Sequence, residues 1–392
     1  MTLLTNTTVA GQAGTHVLAI GVGSYPYLLG GSKTLANKPL GLRQLQSPPV
    51  SVRAILNWFL APEAGCLGFQ NPVAPLASVE ALVSAPEPFA FKTSTGIVQV
   101  DPATRQNVQD AFEAWLARMK SHPDNIGVFY FCGHGLMVSD HYLLAEDFGH
   151  SNILPWAQAF DISNTIRAVA REISGTVFYF IDACRQIARD VAMTLGANPI
   201  ALMAADLGKK VTRKSSTTIY ATGEGELAFA PPGGQVSRFT AALLAAMSGY
   251  CGLKKPGSTT WNVDGESVAA AIRQLLQFES LNATEKDNGT QVSEQSVYGI
   301  SVPLQVLTCA PKVKVWLDLA PPDRRGSYEI YLQPATGDRV VQTRLDQIFK
   351  VEVPRGFYDV GATDPNGALP SVVHEQEDLS PPLYTLILRA GL

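Results

Sequence analysis

IGVFYF-CGHG (126–135) and TVFYFI-DACRQ (176–186) decide the fold. Each begins with six β-branched, aromatic or small apolar residues without polar alternation. That texture suits strands buried on both faces of a parallel sheet rather than half-exposed strands of an antiparallel one. Between them lies ISNTIRAVAREI (162–173), whose apolar residues at 162, 166, 169, 170 and 173 follow helical spacing. It predicts a crossover helix. Two parallel strands joined by a helix bring their C-terminal ends to one edge, where open α/β sheets bind ligands. His134 and Cys184, 50 residues apart in sequence, are therefore expected to meet there.

These paired motifs resemble the caspase-like cysteine peptidases, including metacaspases and bacterial orthocaspases. The caspase signature is Gln-Ala-Cys-Arg-Gly with a His about 50 residues upstream. Gly133-His134-Gly135 and Asp182-Ala183-Cys184-Arg185 match it, with Asp182 in place of the caspase Gln, as in metacaspases, and Gln186 in place of Gly. The resemblance covers roughly residues 15–250. It implies a caspase-like α/β fold, a His134–Cys184 dyad, and an oxyanion hole from the backbone N–H groups of Gly135 and Cys184. By the same resemblance Asp182 helps bind a basic side chain before the scissile bond (P1). Bacterial relatives often act as inducible proteases in stress, cell death or antiphage defence.

The residues themselves support part of that chemistry. A thiol is mostly protonated at neutral pH and needs a base or a positive environment to become a nucleophile. His134, at the neighbouring strand end, is placed to supply one. A lone Cys at a strand end is more often a small buried hydrophobe; the pairing with His134 is what favours the nucleophile. Asp182 shares a strand face with Cys184, so it either lines the substrate pocket or caps the turn. Glu224 and Glu226, after the next strand, add negative charge to the pocket or are simply solvated. His16, His122, His141, His150 and His374 have no comparable context. Cys132 reads as packing.

Composition bounds the rest. With 392 residues, 46% hydrophobic and 16% charged, the chain has ample core for more than one domain. A net charge of −4 gives no support for nucleic-acid binding, and no run of 18 apolar residues predicts a membrane span. The N-terminus lacks a basic region and a long apolar stretch, so no secretory signal is expected. Five scattered cysteines form no disulfide framework and no metal-binding spacing. A cytoplasmic location follows as an expectation, and no metal or other cofactor is called for.

In chain order, residues 1–14 read as a frayed terminus and 16–22 as the first strand. A loop near the site edge follows at 30–49, then a helix at 50–60 and a short strand at 79–83. Asp101 is expected to cap a helix over 103–120. A hairpin is expected at 141–149, a strand at 217–223, helices at 237–247 and 267–278, and a last strand near 297–308. Lys209, Lys210, Arg213 and Lys214 make an exposed basic stretch between the Cys184 strand and the next. In the family this connection is commonly self-processed, which makes Lys210, Arg213 and Lys214 candidates; a solvated loop is the alternative. From about 310 the period becomes 2, as in Val313, Val315, Leu317 and Leu319. That predicts two domains: a peptidase domain, 1–309, and an Ig-like β-sandwich accessory domain, 310–392. The expected function is a cysteine endopeptidase acting on proteins or peptides after Arg or Lys, with an activating partner on the C-terminal domain. The alternative is a non-catalytic caspase-like scaffold that binds partners through the sandwich.

Overall fold

The computed structural model describes residues 2–60, 68–154, 156–187, 199–209, 211–231, 233–282, 291–342 and 347–390, the side chains of 187 and 280–282 excepted. A seven-stranded sheet runs through its first three quarters. The strands are β1 (Thr2–Asn6), β2 (Thr15–Val22), β3 (Leu76–Ser84), β4 (Ile126–Gly133), β5 (Thr176–Ala183), β6 (Ser215–Tyr220) and β7 (Glu294–Gly299). Their order is β1-β3-β2-β4-β5-β6-β7. The five inner strands are mutually parallel, and β1 and β7 close the edges antiparallel. Every residue of β2, β4 and β5 is buried, as their unbroken apolar runs predict.

Helices cover both faces. On one, Val128, Tyr130, Phe178 and Phe180 pack with α1 (Ser47–Leu60), α4 (Arg238–Ala245) and α5 (Gly265–Asn282). On the other, Phe129, Phe131, Tyr179 and Ile181 pack with α2 (Arg105–Met119) and α3 (Ile162–Val169). Adjacent residues of β4 and β5 thus feed opposite cores, the period-2 geometry of a strand.

Several local expectations need correction. Residues 2–6 are not frayed: Thr2 and Leu4 turn inward and the segment pairs with β3. The cap of α2 is Thr104, which accepts from the Asn107 N–H at 3.2 Å. Asp101 is instead tied to the sheet, its carbonyl accepting from Val83 N–H and its carboxylate from the Thr2 hydroxyl, so the helix starts later. The hairpin expected at 141–149 is one arm only. His141–Leu144 pairs antiparallel with Gly135–Met137 and with Ala159–Asp161, and Gln186–Ile187 adds a parallel fourth strand. The last strand divides: β7 joins the main sheet, while Gln305–Leu307 pairs with Trp261–Val263. The cysteines are not all free, because Cys309 is disulfide-bonded; Cys132, Cys184 and Cys251 are free.

Beyond residue 310 two sheets enclose a core of their own. One orders Phe349–Pro354, Lys312–Ala320 and Leu383–Arg389; the other orders Val340–Val341, Glu329–Pro334, Gly356–Thr363 and Val372–Leu379. Val313, Val315, Leu317 and Leu319 face this core. The outward-facing Trp316 packs edge-on against Phe278 of α5, ring centroids 4.3 Å apart, where the two cores adjoin. Val372–Leu379 (VVHEQEDL) escapes sequence reading because it is an outer strand, largely exposed and polar.

Candidate active site

Strand register builds the site. Asp182 pairs with Cys132 and Ala183 with Gly133. The next residues, Cys184 and His134, leave neighbouring parallel strands at the same level of the C-terminal edge. His134 is then fixed from outside the sheet. Its backbone N–H donates to the Tyr25 hydroxyl at 2.8 Å, and its ring lies 4.8 Å from the Tyr25 ring. Its Nε2 stands 2.6 Å from the carbonyl oxygen of Arg43. A carbonyl can only accept, so Nε2 carries the proton and Nδ1 is left as the basic nitrogen. Burial pushes the imidazole down to about 4, against the Arg43 carbonyl, which favours the charged form. The ring is therefore a neutral base at physiological pH.

Tyr25 and Arg43 both belong to the Pro/Gly-rich loop after β2, which folds back on itself. Gln44 bonds both the N–H and the carbonyl of Tyr25, and Leu45 N–H donates to the Gly23 carbonyl at 2.8 Å. The sequence places this loop at the site edge, but the role of Arg43 has no sequence signal, since it acts through a backbone carbonyl that any residue has.

Cys184 is half-buried, and its Sγ accepts from the Ala228 N–H at 3.3 Å. Burial raises its pKa, with the Ala228 bond opposing. Burial thus favours the neutral form of both groups, thiol and imidazole. The residue after Cys184 is clamped: Arg185 N–H donates to the Glu226 carbonyl at 3.1 Å, and Arg185 carbonyl accepts from Gly225 N–H at 2.9 Å. Gly135 sits against this turn. A Cβ there would lie 2.5 Å from the Cys184 carbonyl oxygen, so the two strand ends approach as only glycine allows.

The acidic candidates fare differently. The Asp182 carboxylate points into the core instead of lining an open pocket. It accepts from the hydroxyls of Ser237 and Thr240, the latter at 2.7 Å, and from the Cys132 thiol at 3.4 Å. The residue is 4% exposed and burial raises its pKa. The reason is the face it shares with Phe178 and Phe180, which is roofed by α4. Glu224 is engaged too: Arg185, buried and lying over the Tyr220 ring, bridges Glu224 at 3.1 Å and Glu294 at 2.6 Å. Glu226 is exposed, on the loop that carries Ala228 to the thiol.

The basic stretch is less free than its composition predicts. Lys210 lies outside the described residues. Arg213 lies over the Tyr298 ring, 4.4 Å from its centroid, and Lys214 pairs with Asp124. Lys214 N–H also donates to the Ser174 carbonyl at 2.8 Å. It precedes β6 at the N-terminal edge of the sheet, roughly 25 Å of strand away from Cys184. Among the described residues no group of three or more His, Cys, Asp and Glu could hold a metal ion.

The family model described as Caspase domain matches residues 64–297, more than half of the chain. An uncharacterized protein, y4kE, of Sinorhizobium fredii (strain NBRC 101917 / NGR234) is 33% identical over 293 residues, 71% of this chain and 82% of that protein. Among solved structures, Caspase-1 from Spodoptera frugiperda is similar with 12% identity and a TM-score of 0.40, over 76% of this chain and 93% of that one. No helix among the described residues is long and apolar enough to cross a membrane. Because the Caspase domain model spans more than half of its length, the chain belongs to the caspase-domain family of peptidases.

Proposed function

We propose that the protein is a cysteine endopeptidase whose nucleophile is Cys184 and whose base is His134. The observation that carries this reading is the 2.6 Å contact between His134 Nε2 and the Arg43 carbonyl, from which the tautomer follows. With Nε2–H held by Arg43, Nδ1 is free to take the Cys184 proton as the thiolate attacks the scissile carbonyl. The imidazolium then returns that proton to the leaving amine. Water, deprotonated by the same nitrogen, releases the acyl group from sulfur. The N–H groups of Gly135 and Cys184 are the proposed oxyanion donors, each such donor being worth roughly 3–4 kcal/mol in a transition state.

For P1 the reading is a basic side chain, with Glu226 as its carboxylate partner. Asp182 and Glu224 are already engaged, which moves the expected contact away from them. Self-processing at Arg213 or Lys214 would be between molecules, because both residues sit at the far edge of the sheet. An activating partner would dock on the C-terminal sheets, and stress, cell death or antiphage defence is where such a bacterial enzyme would act. The deciding experiment is a peptide-library cleavage profile of the wild type beside Cys184→Ala. Cleavage after Arg or Lys that vanishes in the variant supports the reading. An inert wild type favours the scaffold alternative. Fragment termini between 209 and 215, absent in Cys184→Ala, are the corresponding sign of self-processing.

A further inference from the structure

We propose that His141 is a positioning residue for the nucleophile, a role that rests on the peptidase reading above. It opens the strand His141–Leu144, and its ring is fully buried. Its Nε2 stands 3.1 Å from the carbonyl oxygen of Cys184. That oxygen can only accept, so Nε2 carries the proton. The backbone is held as well, His141 N–H donating to the Ser163 hydroxyl at 3.0 Å. On the other side the ring lies 5.6 Å from that of Tyr220, the ring over which the Arg185 guanidinium also lies.

Three consequences follow. The peptide between Cys184 and Arg185 is held at both ends, its carbonyl by His141 and its N–H by the Glu226 carbonyl. With β5 fixing the chain before Cys184, this sets the backbone torsions on both sides of the nucleophile, and so the directions of its Sγ and its N–H. Second, the same ring nitrogen would lie 2.6 Å from a Cβ on Gly135, so the imidazole packs directly on the other proposed oxyanion residue. One side chain therefore spaces the two N–H donors. Third, His141 performs no proton transfer: burial, with the Arg185 charge second, pushes it down to about 3, and its Nδ1 has no partner among the described residues. It holds geometry as a neutral ring.

The bond is strong enough to matter. A buried carbonyl deprived of its donor is unfavourable, and the peptide can relieve that by rotating. A displacement near 1 Å at a reacting group costs on the order of 100-fold in rate. The test compares His141→Gln, whose amide reaches as far as Nε2, with His141→Asn, whose amide stops short, and His141→Phe, which keeps a ring without a donor. Each is assayed on the cleaved peptide, with thermal unfolding measured beside it. The expected result is Gln within about threefold of wild type. Asn should lose on the order of 10- to 100-fold in kcat, with KM nearly unchanged and the fold intact. Phe should follow Asn; if Phe fails to fold, the Gln–Asn pair decides. Equal activity of Gln and Asn overturns the proposal while leaving the dyad standing. Wild-type cleavage that is absent, or that persists in Cys184→Ala, overturns the peptidase reading and this role with it.

Discussion

The carbonyl of Arg43 and the Nε2 of His134 stand 2.6 Å apart, and this one contact fixes which nitrogen of the proposed base can act. It joins a loop without helix or strand signal to the end of a central strand. The loop thus holds the ring through the Arg43 backbone carbonyl and the His134 backbone through the Tyr25 hydroxyl. A neutral imidazole beside a protonated thiol is the resting state this arrangement favours.

The dyad should fail as a unit. Cys184→Ala and His134→Ala are each expected to remove at least about 1,000-fold of the cleavage rate, and the double variant should be hardly worse than either single one. Additive losses in steady-state kinetics would contradict a shared step.

The pH profile follows from the depressed imidazole. His134 is lowered from 6.5 to about 4, so its neutral, basic form persists well below the ordinary histidine range. The acid limb of kcat/KM is expected near pH 4. A limb near 6.5 that survives replacement of the other histidines would show that His134 is solvated in the working enzyme.

Gly135 should tolerate no side chain. A Cβ at this position meets the Cys184 carbonyl oxygen at 2.5 Å and His141 Nε2 at 2.6 Å. Gly135→Ala is expected to cut kcat by about 100-fold or more with thiol alkylation of Cys184 retained. Near-normal turnover would mean that the two strand ends separate freely.

Glu226 is the carboxylate assigned to a basic P1 side chain. Glu226→Gln is expected to lower kcat/KM for Arg and Lys substrates by about tenfold, the scale of one charge-assisted hydrogen bond. Uncharged P1 residues should be little affected. If Asp182→Asn shifts the preference and Glu226→Gln does not, the buried carboxylate opens on substrate binding.

The C-terminal sheets have their own core, so a chain ending at residue 310 is expected to keep the main sheet and Cys184-dependent cleavage. It uncovers Phe278, which packs on Trp316, and a drop of several degrees in Tm follows. Loss of all cooperative unfolding by circular dichroism would show that the C-terminal sheets are integral to the first core.

What the sequence determined by itself is the part governed by local pattern. Two apolar runs without alternation can be satisfied only by burial on both faces, and a helix-spaced segment between them makes the strands parallel. The strand-end motifs then bring His134 and Cys184 to one edge, and Val313 to Leu319 mark a second, alternating core. Tertiary structure decided what depends on contacts distant in the chain. Asp182 shares a strand face with Cys184, yet α4 covers that face and draws its carboxylate inward. The start of α2 is set by where β1 and β3 tie down Asp101. His141 looks like any histidine beside a turn until the strands pair and its Nε2 meets the Cys184 carbonyl. Arg43 acts through its backbone, which every residue shares, so only the folded loop could reveal it.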